Sequence, residues 1–445
     1  MNRIRICCLT TITLLIISTL AAAQNQTNTG TGGAARQQKK ASHPAAQTAD
    51  RVWRFIVSGD SRNCGDVVVP AIAAHAISHF HPAFYWHLGD LRAISKVDED
   101  VAFAENEADG HKVACTDYLK RAWPDYIEHQ IKPFGSTPFY VGIGNHEVVP
   151  PKGFPSGSPE SLQPDVNGAQ FTSQFAEWLL APRIKQQRVL DHDCDAASGN
   201  ANTKNESCPI SPRNYYHWIQ GGVDFIYLDN ASNIFGDKQM KWLMERIAAA
   251  RKDPAVHSLV VGMHEALPDS ISSDHAMCDD VRTQDPKYPY AQSCTEGRQV
   301  YKTLLDFQRD LPDKHVYLLA SHSHFFMEGI FNMKPENERL PGWITGTAGA
   351  VRYALPKNSS LATTPPQTDV YGYLLGTVDP SGKIHFEFQK VTEADVTSET
   401  RRRYRDTFVN WCFQHNSQNR DPAAPETTNR CVPPSAPARA APPAK

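Results

Sequence analysis

Short β-rich runs alternate with helical patterns along most of this 445-residue chain. Runs of β-branched and aromatic residues between turn residues predict strands, and apolar residues at helical spacing predict helices. The predicted strands are 53–57, 84–87, 138–141, 215–219, 224–228, 258–261, 316–320, 343–345, 371–378 and 384–388. The predicted helices are 69–80, 171–180, 237–251 and 296–309. This alternation predicts an α/β sandwich with mixed sheets.

Turn and cap residues add detail to this assignment. Gly221-Gly222 lies between two predicted strands and indicates a β-hairpin, and Asp237 is the predicted N-cap of a helix. Segments without a clear pattern are predicted to be insertions that shape a substrate pocket. These segments are 92–135, 148–170, 183–213 and 266–294.

Polar residues follow five of the predicted strands. The segments are Gly59-Asp60-Ser61-Arg62, Gly89-Asp90-Leu91-Arg92, Gly144-Asn145-His146-Glu147, Gly262-Met263-His264 and Ser321-His322-Ser323-His324. Because ligands of α/β sheets gather at the carboxyl ends of strands, we expect these side chains to share one pocket. Carboxylate, amide and imidazole ligands suit Mn, Fe, Zn or similar divalent ions. Two such ions, roughly 3.5 to 4 Å apart and bridged by a carboxylate, are used in phosphate ester hydrolysis.

The order and spacing of these segments resemble the calcineurin-like metallophosphoesterases, a family that includes purple acid phosphatases and many phosphodiesterases. The resemblance extends from about Trp53 to about Phe388. It implies a four-layer α/β/β/α sandwich with mixed sheets and two divalent metal ions at one edge. The implied ligands are Asp90 as the bridge, Asn145, His264 and His322 for one ion, and Asp60 and His324 for the other.

The resemblance also implies roles for two residues that are not ligands. His146 is expected near the leaving-group oxygen, as a general acid or as a stabiliser of the transition state. Glu147 is expected to orient His146 from the second coordination shell.

Arg62 departs from the family pattern, which usually has Asp-x-His at the first motif. A guanidinium stays protonated and has no lone pair for a metal. Purple acid phosphatases use a Tyr three residues after the bridging Asp, but that position is Ala93 here. Either Arg62 holds a phosphate oxygen and partly replaces a weakly bound first metal, or it marks a lost metal site. Asn63 and Asp66 are further candidates for the missing ligand.

The sequence therefore predicts a metal-dependent hydrolase of phosphate monoesters or diesters. A metal-bound hydroxide is the expected nucleophile, with Arg62 stabilising the developing charge and His146 assisting the leaving group. The main alternative is a catalytically weak or inactive binding or scaffold protein of the same fold, which has lost one metal site at Arg62. The same fold acting on a non-phosphate ester is a third possibility.

The two ends of the chain predict export. Residues 1–23 combine two arginines, an apolar run and three alanines, which is typical of a cleaved signal peptide. The expected domains are a flexible linker at 24–50, a metallophosphoesterase domain at 51–412 with disulfide-bearing insertions, and a flexible Pro/Ala-rich tail at 413–445. We expect a periplasmic or extracellular protein that does not bind membranes after cleavage of the signal.

The cysteines that remain after cleavage suggest disulfides, because an exported chain meets oxidising conditions. Sequence proximity favours Cys194–Cys208, Cys278–Cys294 and Cys412–Cys431, which leaves Cys64 and Cys115 as the remaining pair. Spacing does not fix the connectivity, so these pairs are hypotheses.

The charge of the chain argues against nucleic acid as a partner. Lys and Arg total 45 against 48 Asp and Glu, a formal net charge of -3, so there is no surplus of positive charge for a polyanion. The expected partner is a small-molecule or macromolecular phosphate ester. The sequence makes no prediction about the oligomeric state.

Overall fold

The computed structural model describes residues 52–94, 96–109, 113–148, 168–179, 213–272, 275–279 and 292–419. The predicted signal peptide, the linker, the Cys194–Cys208 pair and most of the C-terminal tail lie outside the described residues. Two of the predicted insertions, 148–170 and 183–213, lie largely outside them as well.

Strands and helices alternate as the sequence predicts. The strands are β1 (Trp53–Ser58), β2 (Tyr85–His87), β3 (Phe139–Val141), β4 (Tyr216–Gln220), β5 (Val223–Leu228), β6 (Ser258–Met263), β7 (His315–Ala320), β8 (Phe326–Glu328), β9 (Gly342–Thr345), β10 (Tyr371–Val378) and β11 (Ile384–Val391). The helices are α1 (Gly65–Phe80), α2 (Glu99–Asp109), α3 (Cys115–Tyr126), α4 (Gly168–Gln174), α5 (Asp237–Lys252), α6 (Gln292–Asp310) and α7 (Ser398–Gln414).

These strands form two mixed sheets. The first has the order β11-β10-β1-β2-β3, with β1, β2 and β3 parallel and the outer pair antiparallel. The second has the order β4-β5-β6-β7-β9-β8, with β5, β6, β7 and β9 parallel. The predicted hairpin at Gly221-Gly222 joins β4 and β5 as an antiparallel pair.

Side-chain alternation along β5 shows how the layers pack. Phe225 and Tyr227 lie in the core between the two sheets, whereas Ile226 and Leu228 lie in a second core with α5 and α6. Successive residues of a strand point to opposite faces, so each face of β5 is covered by a different layer.

Aromatic side chains join the two sheets face to face. Phe55 of β1 meets Phe225 of β5 with ring centroids 5.0 Å apart, and Trp86 of β2 meets Trp218 of β4 at 5.2 Å. Buried residues of α1, α3 and α7 belong to the same core as the first sheet. The predicted α/β/β/α sandwich with mixed sheets is therefore confirmed.

Several elements differ from the sequence prediction. The predicted insertion at 92–135 contains α2 and α3, and neither α7 nor β8 was predicted. Helix α5 is preceded by Gly236 at φ 75°, and Asp237 is its first residue and makes no capping hydrogen bond. A positive φ angle favours glycine, so a backbone turn and not a side-chain cap precedes this helix.

Two disulfides link described cysteines. Cys278–Cys294 confirms the predicted pair. Cys64 bonds to Cys412, so the predicted Cys412–Cys431 and Cys64–Cys115 pairs are wrong. Cys64 directly precedes α1 and Cys412 lies on α7, and these two helices pack together although 348 residues separate the cysteines. Cys115 is disulfide-bonded as well.

None of the helices described above combines the length and apolar character that a bilayer crossing requires.

Candidate metal centre

The polar segments predicted from the sequence meet at one edge of the sandwich. Asp60 follows β1, Asp90 follows β2 and Asn145 follows β3, all from the first sheet. His264 follows β6, and His322 and His324 follow β7, both from the second sheet. The carboxyl ends of parallel strands open on the same edge of a sheet, so the topology brings all six side chains together.

Four ligand atoms surround one position in this cluster. Asn145 Oδ1 and His322 Nδ1 each lie 3.0 Å from His264 Nε2, and Asp90 Oδ1 lies 3.3 Å from it. Ligands about 2.0 to 2.2 Å from a divalent ion are separated from each other by distances of this order. Asp60 belongs to the same group of ligand atoms.

Hydrogen bonds on the far side of His264 indicate which ring nitrogen faces the cluster as an acceptor. His264 Nδ1 lies 3.1 Å from Leu88 O and 3.0 Å from Ser321 Oγ. A carbonyl only accepts hydrogen bonds, so the proton belongs on Nδ1 and the lone pair on Nε2. That lone pair then faces the carboxylate of Asp90 and the Asn145 oxygen, an arrangement that a cation stabilises.

Unpaired oxygens give a second reason to place a cation here. Asp60 Oδ1 and Asp90 Oδ2 are buried and accept no well-formed hydrogen bond from the part of the chain that the structure describes. His324 Nε2 lies 3.2 Å from the first oxygen, and Arg62 Nε lies 3.4 Å from the second. Buried carboxylates normally pair with hydrogen-bond donors or with metals. The oxygen and nitrogen ligand atoms of this cluster therefore fit a divalent ion.

Backbone strain marks the same residues. Asp60, Asp90 and His322 have φ angles of 60°, 58° and 63°. Left-handed conformations cost a side-chain-bearing residue about 1 to 3 kcal/mol and concentrate at functional sites. Backbone hydrogen bonds hold the first two loops together, from Asp60 N to Gly89 O and from Ser61 N to Asp90 O, both at 3.0 Å.

The architecture consists of two facing mixed sheets with these candidate ligands at the strand ends. The His-x-His segment after β7 is among them. The chain has the calcineurin-like metallophosphoesterase fold. The resemblance drawn from the polar segments is confirmed at the level of the fold.

The chain is similar to several solved structures at low sequence identity. One is purple acid phosphatase PPD1 from yellow lupin (Lupinus luteus) seeds, at 14% identity and a TM-score of 0.45 over 77% of this chain and 52% of that one. The chain thus spans about half the length of the lupin phosphatase. Another is GAP50, the anchor in the inner membrane complex of Plasmodium, at 11% identity and a TM-score of 0.41 over 77% and 89%.

A third solved structure is 5'-nucleotidase from Candida albicans, at 11% identity and a TM-score of 0.33 over 80% of this chain and 57% of that one. No family model matches this chain, and no curated protein matches it.

Arg62 lies inside the candidate metal centre. Its Nη2 is 2.8 Å from His324 Nε2, its Nη1 contacts His146 Nε2, and its Nε is 3.4 Å from Asp90 Oδ2. The guanidinium therefore occupies the space between Asp90 and His324, which the resemblance assigns to one of the two ions.

His146 faces Arg62 as a neutral imidazole. Its Nδ1 donates to Ala93 O at 2.6 Å, which leaves the Nε2 lone pair for Arg62. Burial, reinforced by the positive charge of Arg62, lowers the pKa of His146 to about 3. In this geometry His146 orients the guanidinium, and the general-acid role implied by the resemblance stays a prediction.

Glu147 contacts backbone amides and not the His146 ring. Its carboxylate accepts from Gly144 N at 2.7 Å, from Leu91 N at 2.9 Å and from Asp90 N at 3.0 Å. The predicted role of Glu147 in orienting His146 is therefore wrong. The loop that carries Asp90 depends on Glu147 instead, because its amides need a buried acceptor.

The two carboxylates of the centre differ in proton affinity. Burial raises the pKa of Asp60 to about 7. Burial acts in the same direction on Asp90, but electrostatic interaction with His264, His146 and the Arg62 guanidinium outweighs it and holds the pKa of Asp90 well below its usual range. Asp90 is therefore the carboxylate that stays ionised in the protein without a bound ion.

The other two candidates for the missing ligand point elsewhere. Asn63 Nδ2 donates to Glu99, and Asp66 Oδ1 accepts from Arg92 Nη2 at 2.9 Å. Neither side chain faces the metal cluster, so that prediction is wrong.

Tyr353 belongs to the centre, although no motif pointed to it. Its ring stacks on His324 with centroids 3.9 Å apart, and its hydroxyl interacts electrostatically with Arg62. Tyr353 lies in a long connection between β9 and β10 with no periodic pattern, so one sequence offers no signal for its role.

Proposed function

We propose that this protein is an exported, metal-dependent hydrolase of phosphate esters. One observation carries the proposal: acceptor atoms of Asp90, Asn145, His264 and His322 converge on one buried position beside the guanidinium of Arg62. Such a position suits a divalent ion, and an adjacent guanidinium suits a phosphate oxygen.

A divalent ion in this position supplies a Lewis acid for the phosphoryl oxygen and lowers the pKa of a bound water. The chain holds the ligands for that ion in fixed orientations. Leu88 O and Ser321 Oγ hold His264 by its Nδ1 atom, and Glu147 holds the backbone of Asp90.

Arg62 is placed to bind the substrate phosphate. Its side chain is 11% exposed while Asp90 beside it is fully buried, so a phosphate arriving from solvent reaches the guanidinium first. Forked N–H groups match two phosphate oxygens, and their charge stabilises the extra negative charge of the transition state. His146 and Tyr353 hold the guanidinium from two sides.

Hydrolysis of chromogenic aryl phosphate monoesters and diesters tests the proposal. Metal-stripped protein is assayed after addition of Mn, Zn, Fe, Mg or Ca, beside Asp90→Asn, Arg62→Ala and the control Asp310→Asn, an exposed surface change. We expect metal-dependent turnover that falls about 100-fold to 1000-fold in Arg62→Ala, as for loss of other donors to a developing oxyanion. The two ester classes decide between monoester and diester activity.

Absence of turnover with every metal, from folded protein that binds an ion, would reject the enzyme. The second candidate would then apply: a binding or scaffold protein of this fold that has lost one metal site at Arg62. The contacts of Arg62 with His324 and His146 favour that candidate too, because they occupy two nitrogens that a working centre would need. Turnover of carboxylic esters alone would favour a non-phosphate substrate.

Export is part of the proposal. Cys64–Cys412 and Cys278–Cys294 are disulfide-bonded, and such bonds form and persist in oxidising compartments. We expect a periplasmic or extracellular protein whose mature N-terminus lies near residue 24. N-terminal sequencing of protein recovered from cell fractions tests this, and an intact N-terminus in the cytosolic fraction would contradict it.

A further inference from the structure

Arg62 lies where the family resemblance implies an ion, and this disagreement changes the expected metal content. We propose that the centre holds a single divalent ion, and that the Arg62 guanidinium takes the place of the second ion. The proposal rests on the metal site of the proposed function, and the experiment below separates the two.

Steric exclusion is the first argument. An ion bound by Asp60, Asp90 and His324 would lie about 2.0 to 2.2 Å from each ligand atom. Arg62 Nη2 already lies 2.8 Å from His324 Nε2, and Arg62 Nε lies 3.4 Å from Asp90 Oδ2. Guanidinium nitrogens and a metal ion cannot share this space.

The surrounding groups are arranged to hold a hydrogen-bond donor. His324 Nδ1 donates to Val351 O at 2.6 Å, so the His324 Nε2 lone pair points at Arg62. His146 presents its own Nε2 lone pair in the same way. Tyr353 stacks on His324 beside Arg62. Leaving this position would cost Arg62 all of these contacts.

The charges of the centre agree with one ion. Asp60 and Asp90 are the two carboxylates of the ligand cluster, and the guanidinium offsets one of their negative charges. A second divalent ion a few ångströms from a fixed guanidinium would meet strong repulsion in this buried environment. The contacts of Arg62 are with His146, His324 and Asp90 Oδ2, so Asp90 Oδ1, Asn145 Oδ1 and His264 Nε2 are left as ligands for one ion.

The chain uses an arginine in the same way at a second cluster of potential ligands. Asp66, Asp125 and His129 also lie close enough to hold an ion. Arg92 fills that cluster, with Nη2 at 2.9 Å from Asp66 and 2.5 Å from Asp125. A buried guanidinium is thus the cationic partner of clustered carboxylates at a second place in this fold.

Metal stoichiometry tests the inference without relying on activity. The full chain and three variants are stripped of metal, loaded with Mn²⁺, desalted and measured by elemental analysis and by low-temperature electron paramagnetic resonance. The variants are Arg62→His, which restores the family's Asp-x-His pattern, Arg62→Ala, which removes the cation, and Arg402→His, a matched control at an exposed position of α7.

We expect one ion per chain in wild type and in Arg402→His, with the spectrum of an isolated Mn²⁺. Arg62→His should bind two ions and show the spectrum of a spin-coupled pair. Arg62→Ala, which keeps the other ligands, should also take up a second ion and so gives an independent result if the histidine variant fails to fold.

Two ions in wild type would overturn the inference, as would a single ion in folded Arg62→His and Arg62→Ala. No ion in any chain would refute both this inference and the metal site of the proposed function. One ion in wild type and two in Arg62→His, without hydrolysis of any ester, would refute only the proposed hydrolase.

Discussion

Replacing Arg92 by Met should destabilise the fold strongly, because two buried carboxylates and a third that is 13% exposed would lose their common partner. Arg92 is fully buried. It lies 2.9 Å from Asp66 of α1, 3.4 Å from Asp100 of α2 and 2.5 Å from Asp125 of α3. The guanidinium therefore joins three helices beside the loop that carries Asp90.

The size of the effect follows from these distances and from burial. At an effective dielectric constant of about 20, unit charges 2.9 Å apart attract each other by roughly 6 kcal/mol. Desolvation of the ions offsets much of this attraction in the native protein. Removing the guanidinium leaves Asp66 and Asp100 buried without a cationic partner, although other hydrogen bonds to them remain. The loss of one partner of a buried ion pair costs about 3 to 5 kcal/mol. We expect Arg92→Met to lower the free energy of unfolding by that amount.

An exposed ion pair of similar geometry provides the control. Arg298 lies 3.3 Å from Asp269, close to the 3.4 Å between Arg92 and Asp100. The side chains of Arg298 and Asp269 are 58% and 42% exposed. Exposed pairs contribute about 0 to 1 kcal/mol. Arg298→Met should therefore change stability by at most about 1 kcal/mol.

Urea unfolding of the oxidised protein, followed by tryptophan fluorescence, measures both variants. Both have the same substitution, but Arg92 is buried with three carboxylate partners whereas Arg298 is exposed with one. Equal losses in Arg92→Met and Arg298→Met, or a loss below about 1 kcal/mol in Arg92→Met, would refute the argument.

Three further predictions concern Glu147, the Cys64–Cys412 disulfide and Asp125. Glu147→Gln places an amide against three backbone N–H groups and should weaken Mn²⁺ binding about 10-fold to 100-fold in a calorimetric titration, and unchanged binding would contradict its role. Cys64→Ser with Cys412→Ser should cost about 2 to 5 kcal/mol in urea, and an unchanged midpoint would exclude a stabilising link between α1 and α7. Burial opposes ionisation of Asp125, but Arg92 outweighs it and lowers the pKa of Asp125 from 3.8 to about 2. The ionised form thus stabilises the fold above pH 4, and this contribution disappears as the pH falls to about 2. Asp125→Asn should therefore be less stable than wild type at pH 7 and equal to it near pH 2, and a difference independent of pH would refute the assignment.

Strand positions were predictable because buried strands appear in the sequence as short apolar runs. Strands β5, β6 and β7 are buried on both faces and appear as short, nearly continuous apolar runs. Helix α1 was found because Val67, Val68, Val69 and Ile72 pack in the core, although its start at Gly65 precedes the predicted start.

Helix α7 was missed although its sequence carries a helical signal. Its first turns carry Arg401, Arg402 and Arg403, whereas Tyr404, Phe408 and Cys412 recur at a spacing of four residues. These three side chains are buried beside α1 and α2. The tertiary structure sets these packing partners, so the disulfide from Cys64 to Cys412 was missed with the helix.

The candidate ligands were found from the sequence because each follows a strand directly. Chain connectivity fixes that placement, and parallel pairing then brings the strand ends to one edge. The role of Glu147 was misassigned because a backbone amide has no signature in the sequence. Tyr353 was missed because it reaches the centre through a connection without periodic structure.

The sequence by itself determined the sandwich, the strand-end ligands and the presence of an arginine where the family usually has a histidine. These features depend on local apolar patterns and on residues adjacent along the chain. Only the tertiary structure decided what Arg62 does, because its contacts with Asp90, His146 and His324 join segments from both sheets. The role of a buried charge depends on the groups that replace its solvating water, and folding brings those groups together.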